Sequence, residues 1–125
     1  MVNNPEKMKI LVVDDSALTR AIFVKMLSDI YEVITAESGD KGLEAYEKNK
    51  ISLIIADFNM QGMDGIEFAG RIRQKNRKIP IILDSVQFTK ELKMRAENVG
   101  INDYLFKDFE KKDLVNKIME LTKNG

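Results

Sequence analysis

Along this chain, short apolar runs of strand length alternate with stretches in which apolar residues recur at helical spacing. Lys9 to Val13 is the first apolar run, and it stops at Asp14-Asp15. From Ala17, apolar residues recur at Ile22, Phe23, Met26, Leu27 and Ile30, the interval of an amphipathic helix. Ser16 stands where an N-cap is wanted. Tyr31 to Ala36, rich in β-branched residues, predicts a second strand, punctuated by Ser38-Gly39-Asp40. Gly42 to Lys48 predicts a short helix carrying Leu43 and Tyr46. Ile51 to Ala56 is the most continuous apolar run, as a strand buried on both faces requires, and it ends at Asp57. Asn59 to Gly65 contains Gly62 and Gly65 and predicts a loop. Ile66 to Gln74 predicts a third helix. Pro80 opens a fourth strand, Ile81 to Asp84, and Thr89 to Val99 a fourth helix, closed by Gly100. Asp103 to Phe106 predicts the fifth strand, and Asp108 to Leu121 the last helix.

Five β-α units in regular alternation predict an α/β fold: a doubly wound, five-stranded parallel sheet flanked by five helices. The competing reading of the same pattern is an α+β domain with a mixed sheet. With 125 residues the chain has the length of one domain. That domain is expected over residues 9–123, after a mobile N-terminal tail, residues 1–8.

Composition narrows the chemistry. Apolar residues make up 44% and charged residues 32%, a globular rather than a disordered balance. Twenty Lys and Arg match twenty Asp and Glu, so no global basic field draws the chain to nucleic acid, and no direct nucleic-acid contact is expected. Cysteine and histidine are absent, which excludes disulfides, thiolate or imidazole metal sites, a Ser-His-Asp triad and an acceptor histidine. What remains is carboxylate, hydroxyl and lysine chemistry, with or without a hard cation. No apolar run has the length of a membrane span, and the polar N-terminus lacks a signal-peptide stretch, so a cytoplasmic location is expected.

The informative polar residues sit where strands stop. The first strand ends at Asp14-Asp15, the third at Asp57, the fourth at Ser85 and the fifth at Lys107. In an open parallel sheet these carboxyl ends share one edge, where ligands bind. An Asp after a strand is commonly a cap or turn residue, and a lone Ser or Lys is ordinary surface. Capping does not explain why all four sites share one edge. Crowded carboxylates attract a hard divalent cation with oxygen ligands. Lysine supplies a compact positive charge for an anion, and a hydroxyl can donate to one of its oxygens. The set suits a phosphoryl group beside a metal, a transfer that depends mostly on positioning and charge neutralisation.

These residues resemble the response-regulator receiver family, the CheY-like domains. The resemblance runs from Lys9 to about Lys123. Ile10 to Ser16 is similar to the family's opening strand and acidic pair, Asp57 to Gly65 to the segment around its phosphorylated aspartate, Pro80 to Ser85 to its fourth strand with a terminal Ser or Thr, and Gly100 to Lys107 to its fifth strand with a Lys. The resemblance implies a flavodoxin-like strand order, 2-1-3-4-5. It implies that Asp57 is the nucleophile and phosphoacceptor. Mg²⁺ (or Mn²⁺) would be held by Asp15, Asp57 and the backbone carbonyl of Asn59, with Asp14 acting mainly through a metal-bound water. Ser85 and Lys107 would contact the phosphoryl oxygens. Tyr104 would be the switch aromatic, turning inward as Ser85 moves. Asn59 and Gln87 occupy positions that tune how long the acyl phosphate survives. The implied partners are a histidine kinase or phosphotransfer protein upstream and an output protein or domain downstream, with a homodimer through helix 4, strand 5 and helix 5 as one form of output. The surface expected to change runs roughly from Thr89 to Lys117.

Three positions depart from the family pattern. Gln61 and Asp108 stand where the family usually has proline. A cis bond before a non-proline residue costs about 3 kcal/mol, so a trans Lys107-Asp108 bond is expected, with some displacement of Lys107. Asp84 stands in a buried strand where an aliphatic residue is expected, and an unpaired buried carboxylate is costly. It would point toward a mobile surface, pair with a lysine, or serve a partner.

Two other readings compete. A pseudo-receiver would keep the fold as an interaction module without being phosphorylated. A haloacid-dehalogenase-type phosphatase also uses an aspartate nucleophile with Mg²⁺, but it carries an Asp-x-Asp arrangement and usually a cap insertion. Here Asp14 and Asp15 are adjacent and the chain is too short for a cap. The expectation is therefore a phosphoacceptor switch rather than an enzyme.

Overall fold

Strands and helices alternate strictly along the chain in the computed structural model, which describes residues 7–123. The order is β1 (Lys9–Val13), α1 (Ala17–Leu27), β2 (Glu32–Ala36), α2 (Gly39–Lys48), β3 (Leu53–Asp57), α3 (Gly65–Lys75), β4 (Ile81–Ser85), α4 (Lys90–Val99), β5 (Asp103–Phe106) and α5 (Lys111–Thr122). All strand pairs are parallel, and the sheet order is β2-β1-β3-β4-β5. This is the flavodoxin-like doubly wound arrangement expected from the sequence. Of the expected tail, residues 1–6 lie outside the described residues; Lys7 donates to the Ser28 carbonyl oxygen at 2.8 Å, and the Met8 carbonyl accepts from the Glu32 amide.

Alternating side chains along each strand divide the core into two layers. Leu11, Val13, Ile54, Ala56, Ile81 and Leu83 pack against Phe68, Ile72, Leu92 and Ala96 of α3 and α4. Ile10, Val12, Leu53, Ile55, Ile82 and Leu105 pack on the opposite face against Phe23, Leu27, Leu114 and Ile118 of α1 and α5. Fully burying each of the Val, Leu, Ile and Phe side chains among them contributes about 1.5–3 kcal/mol.

Four helices start at side-chain caps. Ser16, Ser38, Asp64 and Thr89 accept from the amides of Thr19, Lys41, Glu67 and Leu92. α4 ends at Gly100 in the left-handed region, φ 93°, as its position after Val99 predicts.

The boundaries differ from the sequence expectation by two or more residues in four places. α1 stops at Leu27 rather than reaching Ile30, because the amides of Ile30 and Tyr31 both turn back to the Leu27 carbonyl. α2 begins at Gly39, three residues early: Ser38 caps it, so Ser38-Gly39-Asp40 is a helix start rather than a turn. β3 begins at Leu53 rather than Ile51. α5 begins at Lys111 rather than Asp108, since the Phe109 amide bonds back to the Phe106 carbonyl in a separate turn.

Candidate functional site

The same alternation that sorts the core also sorts the polar residues at the carboxyl edge. Asp14 follows Ile10 and Val12 in parity, Asp57 follows Leu53 and Ile55, Asp84 follows Ile82, and Lys107 follows Leu105. All four therefore project on the α1/α5 face. Register completes the row. Val13 pairs with Ala56, Asp57 with Asp84, and Ser85 with Phe106. The ladder continues past the strand ends through Asp14 N–H to Ala36 carbonyl and Lys107 N–H to Ser85 carbonyl.

The result is a buried cluster in which Asp14, Asp57 and Asp84 each present a carboxylate oxygen within 4.8 Å of the others. Asp14 and Asp84 are each 1% exposed and Asp57 is 4% exposed. The Lys107 ammonium lies 3.1 Å from Asp84 Oδ2, 3.2 Å from Asp57 Oδ1 and 3.4 Å from Asp14 Oδ2. An ammonium has three donors, and here it faces three carboxylates. The Lys107-Asp108 bond is trans, as expected, and Lys107 still reaches Asp57.

Local bonds hold the carboxylates. Asp14 Oδ1 accepts from the Ser16 amide at 2.9 Å, and Arg20 donates to the Asp14 carbonyl at 2.8 Å. Asp57 Oδ1 also accepts from the Asn59 amide at 3.2 Å. Asp84 Oδ1 is buried and has no hydrogen-bond partner among the described residues.

The electrostatics follow from burial and crowding. Burial pushes the Asp57 carboxyl above its ordinary range; Lys107 partly offsets this, and Asp14 adds to it. Burial likewise pushes Asp84 up to about 6, against the pull of Lys107. Burial alone disfavours the Lys107 ammonium, but Asp84, Asp57 and Asp14 together outweigh it and raise its pKa.

The remaining expected residues stand around this row rather than in it. Asp15 is exposed, and its Oδ2 accepts from the Gln61 amide at 3.4 Å. Asn59 and Gln87 are exposed. Ser85 has the parity of Ile81 and Leu83 and so lies on the other face, buried, donating to the Gln87 carbonyl at 2.9 Å. Ser85, Asn59 and Gln87 line a cavity of about 260 Å³ together with Phe58 and Arg95. The Arg95 guanidinium stacks 5.9 Å from the Phe58 ring centroid. Tyr104 packs on Phe88 at 5.0 Å, and its hydroxyl is 3.3 Å from both the Lys93 carbonyl and Glu97 Oε2, which places the ring along α4.

Asp84 is the site residue whose role sequence reasoning left open. Of the three alternatives for it, pairing with a lysine is the one found. The signal was available: Asp84 has the parity of Ile82, and a β4 in register with β3 sets it beside Asp57.

The family model for the Response regulator receiver domain matches residues 10–119. Over 117 residues the chain is 34% identical to the nitrate/nitrite response regulator protein NarL of Escherichia coli, covering 91% of this chain and 54% of NarL. It is 29% identical over 116 residues to the cell cycle response regulator CtrA of Brucella ovis, covering 93% of this chain and 50% of CtrA. The chain thus spans about half the length of these relatives. Among solved structures, the Vibrio cholerae chemotaxis protein CheY4 is similar with a TM-score of 0.89 and 31% identity, covering 92% of this chain and 98% of that one. A response regulator receiver domain protein from Clostridium thermocellum gives a TM-score of 0.87 and 26% identity, covering 93% and 94%. The chain belongs to the response regulator receiver domain family, the CheY-like signalling switches of two-component systems.

Proposed function

We propose that this domain accepts a phosphoryl group on Asp57 from a phosphohistidine of a histidine kinase or phosphotransfer protein, and passes the event on through α4, β5 and α5. A carboxylate oxygen of Asp57 forms the new O–P bond as the P–N bond to the donor imidazole breaks, and the imidazole leaves with the electron pair. The observation that carries this reading is the position of Asp57. It is a buried carboxylate at the carboxyl end of the central strand, 3.2 Å from the only ammonium among the described residues to contact it. Asp57 Oδ1 takes Lys107 and the Asn59 amide, while Oδ2 has no hydrogen bond from a described residue.

The residues present fit a hard divalent cation. The donors are all oxygens, and Lys107 compensates only part of the charge of Asp14, Asp57 and Asp84. Asp14, Asp15, Asp57 and the Asn59 carbonyl would hold Mg²⁺ or Mn²⁺. When bound, the cation supplies charge neutralisation for the phosphoryl oxygens.

Lys107 and Ser85 contact the phosphoryl oxygens in the modified state. Ser85 must then give up its bond to the Gln87 carbonyl, and Tyr104, packed on Phe88 along α4, turns inward as Ser85 moves. Shifting a two-state population from mostly off to mostly on takes about 5 kcal/mol of differential binding, within reach of two or three charge-assisted hydrogen bonds. Asn59 and Gln87, at the mouth of the same cavity, tune the lifetime of the acyl phosphate. The readout elements have apolar material to offer a partner: Met94 of α4, Phe106 of β5 and Met119 of α5 are exposed. It serves an output protein or domain in the cytoplasm, or a second copy of this chain. Among the described residues no helix is long and apolar enough to cross a membrane.

The test is treatment with acetyl phosphate and Mg²⁺ followed by intact-mass measurement. A phosphorylated species is expected in the parent and not in Asp57→Asn. No phosphorylated species in the parent, under conditions that modify another receiver domain, would favour the second reading, an unphosphorylated pseudo-receiver. One observation speaks for that reading: Lys107 is already engaged by Asp84.

A further inference from the structure

We propose that Asp84 is a positioning residue for Lys107, a fixed carboxylate on β4 that competes with the phosphoryl group for the ammonium. This rests on the phosphoacceptor reading of Asp57. Register sets Asp84 directly beside Asp57 on the neighbouring strand and on the same face. Of the three carboxylates around the Lys107 ammonium, Asp84 is the nearest, at 3.1 Å.

A buried salt bridge that only stabilises the strand would need no relation to the acceptor. Here the cation that neutralises Asp84 is the one the proposed phosphoryl oxygens require. Among the described residues Asp84 Oδ1 has no partner and Oδ2 has Lys107 alone. Moving Lys107 away leaves a buried carboxylate with neither oxygen bonded, which is heavily penalised. The ammonium is therefore tethered to β4. When Asp57 carries a phosphoryl group, Lys107 can turn one donor to it only while its other donors stay on Asp84 and Asp14. Asp84 also adds negative charge next to an incoming dianion. Both effects loosen the hold of the site on a phosphoryl group and shorten the life of the modified state.

The test uses the full chain, beryllofluoride with Mg²⁺ as the phosphoryl probe, and the ¹⁵N resonance of the Lys107 ammonium. Asp84→Asn keeps the shape and removes the charge. It is expected to bind beryllofluoride about tenfold more tightly than the parent, to lengthen the acyl-phosphate lifetime by a similar factor, and to shift the Lys107 resonance in the unmodified protein. Asp84→Val takes its place if the amide variant does not fold, and Asp84→Glu, which restores the charge, is expected to reverse the gain. Equal or weaker beryllofluoride binding in Asp84→Asn, or an unmoved Lys107 resonance, overturns the proposal. Failure of the parent itself to bind beryllofluoride is a different result: it removes the phosphoacceptor reading, and this proposal with it.

Discussion

A Cβ atom on Gly65 would lie 2.5 Å from the carbonyl oxygen of Asp57. The first residue of α3 therefore sits directly against the backbone of the proposed acceptor, with the Gly65 amide bonded to the Phe58 carbonyl at 3.2 Å. Leu83 Cδ1, 2.9 Å away, is the end of a side chain, but the Asp57 backbone cannot yield cheaply. Gly65→Ala is expected to cost about 1–3 kcal/mol in urea unfolding and to slow modification of Asp57 by displacing its carbonyl. Stability within about half a kcal/mol of the parent would show that the β3-α3 junction can widen freely.

Asp57 and Asp84 give the metal-free protein an unusual pH dependence. Both carboxyls are pushed above their ordinary values by burial, Asp84 from 3.8 to about 6. Between those limits the folded protein binds more protons than the unfolded chain. The stability Asp84 contributes is therefore fully present below its ordinary value of 3.8 and is lost progressively as pH rises from there through about 6. For Asp84 the loss is at most about 3 kcal/mol. The exposed Asp29-Lys111 pair, where the lysine holds the carboxyl below its ordinary value, acts in the opposite sense but is screened by salt. Urea unfolding in EDTA at moderate salt is expected to give a lower free energy at pH 7.5 than at pH 5, and Asp84→Asn is expected to flatten the difference. A parent that gains stability over that interval would contradict the burial of these charges.

What the sequence could show follows from periodicity. The strands, their order of appearance and the edge at which Asp14, Asp57, Ser85 and Lys107 collect are visible because period-2 and period-3.6 patterns are strong here and because strand ends in a parallel sheet converge. The starts of α2 and α5 were less visible. Ser38-Gly39-Asp40 has turn composition, and only the bond from the Lys41 amide to Ser38 Oγ makes it a cap. The division of the site between two faces of the sheet follows from the alternation within each strand and was legible. Which residues become lateral neighbours was hidden, because that depends on register between strands far apart in sequence, which local pattern does not encode. Once Asp57 pairs with Asp84, the odd carboxylate in β4 ceases to be a packing anomaly and becomes the neighbour of the acceptor.

Lys107 is the only cation that contacts all three buried carboxylates among the described residues. Lys107→Met keeps much of the side-chain volume and removes that charge. Leaving buried carboxylates without their counter-ion is expected to destabilise the protein by about 3 kcal/mol at pH 7.5. The deficit should shrink at pH 5, where Asp84, whose carboxyl burial raises to about 6, takes up a proton instead. It should also shrink on adding Mg²⁺ at pH 7.5. A loss of stability equal at both pH values and insensitive to Mg²⁺ would mean that Lys107 contributes packing rather than charge.

Asp15 offers the cleanest separation of metal binding from folding. It is exposed, it does not contact Lys107, and its contact to the rest of the site is a 3.4 Å bond from the Gln61 amide. Removing its charge therefore leaves the buried row intact. Asp15→Asn is expected to change the stability of the metal-free protein by less than about half a kcal/mol. On the ligand set proposed above, its effect on Mg²⁺ should be large, because a cation arriving from solvent loses an accessible full charge. Ligand binding to the folded state alone raises stability by RT ln(1 + [L]/Kd), so a tenfold weaker Kd removes about 1.4 kcal/mol of Mg²⁺-dependent stabilisation at saturating metal. Tm measured across a Mg²⁺ titration in parent and variant checks this. Coincident titration curves would place the cation away from Asp15, and a matching loss in the metal-free protein would give Asp15 a structural role instead.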